Sequence, residues 1–137
     1  MGKVQIFNET NNEVNFDVST EIADKISNYY GVQYGEISFI ILSDEELLEM
    51  NKNYLGHDWL TDVITFDLSE ETNIIEGEIY CSYDRILENG EEFGEGFEKE
   101  LKRVFIHGFL HLCGEKDYTK QEKENIHNLE NKFLELN

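Results

Sequence analysis

The segment "GFEKELKRVFIHGFLHLCGEKD", residues 96–117, constrains the fold more than any other part of the chain. Its first half carries charge at helical spacing. Its second half is apolar on nearly every side, through Val104, Phe105, Ile106, Phe109, Leu110, Leu112 and Cys113. A helix that is hydrophobic all round has no face to give to water, so other elements must cover it. At 3.6 residues per turn, His107 and His111 project from one face of that helix, one turn apart. Gly114 ends the pattern, and a glycine there lets the backbone reverse early enough for Asp117 to return to the same point.

The rest of the chain supplies the cover. "KVQIFNE" and "EVNFDV" alternate apolar and polar residues and predict short strands or a hairpin, with "NETNN" as the turn. "STEIADKISNYYGV" predicts a helix capped by Ser19 or Thr20 and ended by Gly31, with Ile22 and Ile26 on its stripe. "EISFIIL" predicts a central strand buried on both faces. Ser43 and Glu46 make a capping box, and Leu42 with Leu47 a hydrophobic staple, for a helix over 44–53. "TDVITFDL" and "IEGEIYCSY", joined by an acidic loop, predict two antiparallel strands, and "DRILENGEEF" a short helix. A second capping box, Thr119 and Glu122, opens a last helix with Ile126, Leu129, Phe133 and Leu136 on its stripe. The order predicts an α+β fold: a small mixed β-sheet of about four strands with helices packed around it, in one domain over residues 1–137.

Thirty acidic residues against eleven basic give a net charge of −19, which repels nucleic acid and anionic lipid at long range. The scarce cations are not scattered, however. Lys99, Lys102, Arg103, Lys116, Lys120 and Lys123 flank the two histidines, although pairing with acids along a helix would also account for them. Cys81 and Cys113 sit in apolar patterns and read as reduced, buried thiols. With no signal-peptide pattern and no window of membrane-spanning length, a cytoplasmic protein without a membrane partner is expected.

Two imidazoles and a carboxylate are a normal set of zinc ligands, and three protein ligands leave a position open for water. A lone histidine in an apolar helix is usually a satisfied core residue, but two at this spacing need partners together, and one metal supplies them. His127, beside the last helix's stripe, reads as a surface residue, and His57 stands in no such pattern. Arg103 extends the stripe one turn before His107, where it suits an anionic substrate or a salt bridge to Glu100 or a sheet-side acid equally well. Metalloproteases of the H-E-x-x-H kind need a glutamate where Gly108 stands, so protease chemistry is disfavoured. Phosphodiester hydrolysis asks less of a general base, because a metal both activates water and stabilises phosphoryl charge.

"HGFLHLCGEKD" resembles the H-G-x-L-H-L-x-G-x-x-H signature of the YbeY family of bacterial metal-dependent endoribonucleases and rRNA maturation factors. "MNKNYLGHDWLTDVITFD" is similar to that family's N-x-x-Y-R…D-x-x-T-D-V-L-S-F-P segment, and "EGEIYCS" to its G-D-I strand. The resemblance implies one Zn(2+) per chain, cleavage of single-stranded RNA by a metal-bound water, maturation of the 3′ end of 16S rRNA, and ribosome quality control. It makes His107, His111 and Asp117 the metal ligands, with Asp117 where the family usually has histidine. The exchange lowers the site's net charge by one, which weakens its Lewis acidity. Leu55 stands where the family commonly has an arginine important for activity, so Arg103, Arg85 or Lys116 would have to meet the phosphate. Thr61 and Asp62 begin the strand that resembles the family's, where Asp62 either nears the cleft or serves a turn. Cys113 is read as a core residue rather than a fourth ligand.

The leading expectation is thus a zinc-dependent endoribonuclease whose partners are ribosomal RNA or the pre-ribosomal small subunit, through a ribosomal protein that offsets the acidic charge. A non-catalytic assembly factor with a structural metal and a metal-dependent hydrolase of another anionic substrate are the alternatives. The motif marks out no general base, and the sequence does not fix the oligomeric state.

Overall fold

The structure, a computed structural model, describes residues 2–17, 19–55 and 63–135. His57, Thr61 and Asp62 lie outside the described residues, as does Leu136. Four strands form one sheet in the order β1-β2-β4-β3: β1 (Lys3–Asn8), β2 (Gln33–Leu42), β3 (Val63–Asp67) and β4 (Ile74–Ser82). β1 and β4 run parallel to β2, and β3 runs antiparallel to β4. The helices are α1 (Ser19–Tyr30), α2 (Asp44–Met50), α3 (Tyr83–Glu92), α4 (Phe97–Leu112) and α5 (Lys120–Glu135). A single π-type turn, Asn51–Leu55, follows α2, so the regular helix stops three residues short of the predicted 53. This is the expected α+β architecture with a mixed sheet.

The central strand is apolar on both faces because both faces are covered. Ile37, Phe39 and Ile41 of β2 join Ile79 and Cys81 of β4 in the main core, beneath α1, α4 and α5. Ile40 and Leu42 point the other way and meet Leu47 of α2 and Ile64 of β3 in a smaller cluster. The predicted staple therefore closes, and both halves of the Ser43–Glu46 capping box form.

The predicted hairpin of "KVQIFNE" with "EVNFDV" does not form. A parallel strand pair takes its place, with β1 on β2 in register Lys3↔Glu36 to Asn8↔Ile41. Residues 9–17 form no strand, and their turn is held by side chains: Thr10 N donates to Asn8 Oδ1 at 3.0 Å, and Asn8 Nδ2 to the Asn12 carbonyl at 2.6 Å. Asn and Thr compete in this way with sheet pairing. Phe16 enters the core from this irregular segment, edge-on to Phe39 and Phe105 with ring centroids 5.6 and 5.3 Å apart. Its alternation with Val14 reads as a strand in sequence but serves a packed loop.

Helix α4 runs against the sheet as closely as its glycine allows. A Cβ on Gly108 would stand 2.5 Å from Ile79 Cγ2, nearer than real side chains approach. This contact fixes the rotation of α4, burying Phe105, Phe109 and Leu112 and leaving His107 and His111 at its partly exposed flank.

Candidate metal centre

The turn after α4 is built by hydrogen bonds that only a left-handed residue permits. Gly114, at φ 102°, donates to the His111 carbonyl at 3.0 Å, and Glu115 N donates to the Leu110 carbonyl at 3.0 Å. These are the paired bonds of a Schellman ending. The turn sends the Glu115 carbonyl back toward His111, whose Nδ1 lies 2.9 Å away. Asp117 follows two residues later, with Oδ2 3.4 Å from His107 Nε2 and 3.5 Å from His111 Nε2. The two Nε2 atoms are 2.9 Å apart.

The tautomers follow from the partners. His111 Nδ1 faces a carbonyl oxygen at 2.9 Å, and His107 Nδ1 faces Glu130 Oε2 at 2.6 Å. Both partners are acceptors, so each Nδ1 donates and each Nε2 presents a lone pair. Three acceptor atoms, two Nε2 and one carboxylate oxygen, thus converge on one point. Without a cation that arrangement is repulsive. Donors held about 2.0–2.2 Å from a tetrahedral ion stand roughly 3.3–3.6 Å apart. The Asp117 oxygen stands at 3.4 and 3.5 Å from the two imidazoles and the imidazoles are closer to each other, at 2.9 Å, so the donor set fits a small transition-metal ion with the two rings parting slightly around it. His107, His111 and Asp117 are all partly exposed, which leaves the point within reach of solvent.

The supporting residues come from three helices. Glu130, on α5, is 6 % exposed, and its other oxygen, Oε1, meets Arg103 Nη1 at 3.2 Å. The Glu115 carboxylate accepts from Tyr30 of α1 at 2.5 Å and from Asn125 of α5 at 3.3 Å, tying the ligand turn to both helices. Burial, then the bond to Glu115, raises the Tyr30 phenol well above its usual pKa, so it remains a donor. A cleft of about 90 Å³, lined by Val63, Glu100, Arg103, Val104, His107 and Glu130, opens beside the histidines.

The structure thus gathers His107, His111 and Asp117 as the sequence predicted. The three basic residues are placed differently. Arg103 is engaged by Glu100 at 4.0 Å, the salt bridge named for it, and more closely by Glu130 at 3.2 Å and Glu95 at 3.5 Å, which come from α5 and the turn before α4 rather than from the sheet. Arg85 is held elsewhere, between Asp44 and Glu88 of α2 and α3. Lys116 is exposed and adjacent to Asp117 in the chain. His127 is on the surface, as expected, and Cys81 and Cys113 are free thiols. Sequence reasoning missed Glu130 and Glu115. Glu130 had left a signal, since a glutamate between Leu129 and Phe133, four residues from Ile126, shares a buried face and needs a partner there.

A mixed sheet flanked by helices, with two histidines of a buried helix and an aspartate meeting at a partly exposed point, defines an α+β protein with a candidate transition-metal centre. The family model described as Endoribonuclease YbeY matches residues 4–136, and the chain belongs to that family. It is 43 % identical over 118 residues to an Endoribonuclease YbeY of Bacteroides thetaiotaomicron, spanning 86 % of this chain and 85 % of that one. A relative of the same name in Christiangramia forsetii is 40 % identical over 139 residues, covering 98 % of this chain and 94 % of its own. The solution structure of TM1509 from Thermotoga maritima superposes with a TM-score of 0.67 at 31 % identity, over 97 % of this chain and 87 % of that one.

Proposed function

We propose that this protein is a zinc-dependent endoribonuclease that cuts single-stranded RNA, acting on the 3′ end of 16S ribosomal RNA and in ribosome quality control in the cytoplasm. The observation that carries the reading is the convergence of three acceptor atoms, two of them on imidazoles whose tautomers are set from behind, in a chain whose family is named for endoribonuclease activity. His107, His111 and Asp117 would hold the ion. When bound, zinc supplies Lewis acidity to water and to phosphoryl oxygens. The chain's own residues do the rest: Glu130 and the Glu115 carbonyl orient the imidazoles, and Lys116 offers an exposed cation beside Asp117 for a phosphate. Val63 and Val104 give the adjoining cleft an apolar wall.

A carboxylate as third ligand leaves the site one charge lower than three imidazoles would, so the cleavage rate should be modest. A net charge of −19 opposes free RNA, and the reading therefore includes a pre-ribosomal small subunit, met through a ribosomal protein. Among the described residues no helix is long and apolar enough to cross a membrane.

The test is incubation of zinc-loaded protein with the 3′ end of 16S rRNA, single-stranded and duplexed, at low salt. Wild type should cut the single strand and spare the duplex, whereas His111→Ala should cut neither. Equal products from wild type and variant, or no cleavage by either, would overturn the proposal.

A further inference from the structure

Arg103 and Glu130 stand together behind the candidate metal centre, and the proposed chemistry gives Arg103 no part. Glu95, Glu100 and Glu130 all lie within 4.0 Å of the one guanidinium, and Glu100 and Glu130 are 5 % and 6 % exposed. Three carboxylates around one cation make a poor seat for an anionic phosphate. The same arrangement suits a different task. Glu130 reaches Arg103 with Oε1 and His107 Nδ1 with Oε2, so one buried carboxylate joins the arginine to the ligand.

We infer that Glu130 is the positioning residue for His107, and that Arg103 is the countercharge that holds Glu130 in place rather than a contact for substrate. A carboxylate on Nδ1 keeps the proton there, leaves Nε2 bare for the ion, and fixes the ring plane. A buried carboxylate needs such a partner on its second oxygen, and the several donors of a guanidinium let Arg103 meet Glu130 with Nη1 while its other nitrogens face Glu95 and Glu100. The two histidines are supported unequally. His111 relies on the Glu115 backbone carbonyl, which no side-chain substitution removes, whereas His107 relies on a side chain from another helix. His111 is therefore an internal control within the same site.

The inference rests on the metal reading, and two measurements on the full chain keep the two separable. Zinc affinity is measured by competition with a chromogenic chelator, and the imidazole tautomers are read from ¹⁵N shifts in metal-free protein. Glu130→Leu should weaken zinc binding about 10- to 100-fold. It should also let His107 divide between its two tautomers, while His111 keeps its proton on Nδ1. Glu130→Gln, still an acceptor, should restore the His107 tautomer and part of the affinity. Arg103→Gln should weaken zinc in the same direction by a smaller factor.

If Glu130→Leu binds zinc within about twofold of wild type and His107 keeps one tautomer, Glu130 is merely structural, whatever happens to its melting temperature. Should that variant not fold, Glu130→Gln decides by the same pair of readings, with unchanged affinity counting against the inference. An Arg103→Gln protein identical to wild type in both readings overturns the part assigned to Arg103. If wild type itself takes no zinc, the functional proposal fails, and the tautomer measurement still decides the role of Glu130.

Discussion

Gly108 and Ile79 are in contact so close that a single added carbon would stand 2.5 Å from the isoleucine Cγ2. That contact explains both the height of α4 above β4 and the histidine flank that stays at the surface. It also gives a structural reason for the absence of an H-E-x-x-H glutamate: at position 108 the side chain would point into the sheet, not toward Asp117 and the two histidines. Gly108→Ala should gain up to about 1 kcal/mol in helix propensity and lose about 1–3 kcal/mol to overpacking. The expected net result is a lower urea midpoint with an unchanged slope. A variant more stable than wild type would mean that Ile79 yields freely and that the contact does not set the helix position.

Metal should stabilise the fold as well as arm the site. His107, His111 and Asp117 come from α4 and from the turn that α1 and α5 tie down, so an ion held by them would strengthen the junction of three helices. At free zinc about 100 times the dissociation constant, the gain should be about 2.7 kcal/mol. Differential scanning calorimetry should show the melting temperature rising with zinc and returning with chelator. His111→Ala should melt at the same temperature with and without the ion, and a metal-induced rise that survives in that variant would place the binding elsewhere.

Exchanging the third ligand should move affinity and activity together. Asp117→His would restore three imidazoles and raise the net charge of the bound site by one. Faster cleavage of single-stranded rRNA than wild type, at equal metal occupancy, is the expected outcome. A slower variant with full occupancy would show that the carboxylate is tuned for this chain's reaction rather than a weakening of it.

The centre was legible because it is local. His107, His111, Gly114 and Asp117 lie within eleven residues, and helical spacing with one glycine turn brings them together without knowledge of the rest of the fold. What supports them is not local. Glu130 reaches His107 from another helix, and the acids around Arg103 come from α4, α5 and the turn before α4, so the stripe Arg103–His107–His111 could not show whether the guanidinium was free. The same limit explains the hairpin. Alternation in "KVQIFNE" marks a strand, but its partner is β2, which begins only at Gln33 and whose backbone edge, in a strand covered on both faces, must be hydrogen-bonded by a neighbouring strand. Capping boxes and glycine stops, which depend on near neighbours alone, appeared where expected.

Both thiols should be inert in the native protein. Burial raises the Cys81 thiol far above its usual pKa, and burial followed by the charge of Glu115 pushes Cys113 up to about 12. Only the thiolate attacks, and at pH 8 a thiol with that pKa is ionised roughly once in ten thousand molecules. Ellman's reagent should therefore find no fast-reacting thiol in the folded chain and two after denaturation. Rapid modification of Cys113 in the native state would show that the end of α4 opens, and with it the ligand turn.

The second capping box gives a pH signature to the helix that carries Glu130. Thr119 N donates to Glu122 Oε1 at 2.9 Å, Tyr118 N donates to the same oxygen at 3.1 Å, and Glu122 N donates to Thr119 Oγ1 at 3.1 Å. These bonds, the Thr119 backbone amide first, hold the Glu122 carboxyl below its ordinary 4.5. A depressed carboxylate contributes stability that is complete above its unfolded pKa and is lost as pH falls through the lower folded value. The melting difference between wild type and Glu122→Gln should accordingly be constant near neutrality and shrink below about pH 4. Thr119→Ala removes the other half of the box and should cost about 1 kcal/mol at neutral pH. A wild-type advantage over Glu122→Gln that persists undiminished at about pH 3 would mean that the ionised carboxylate is not what caps α5.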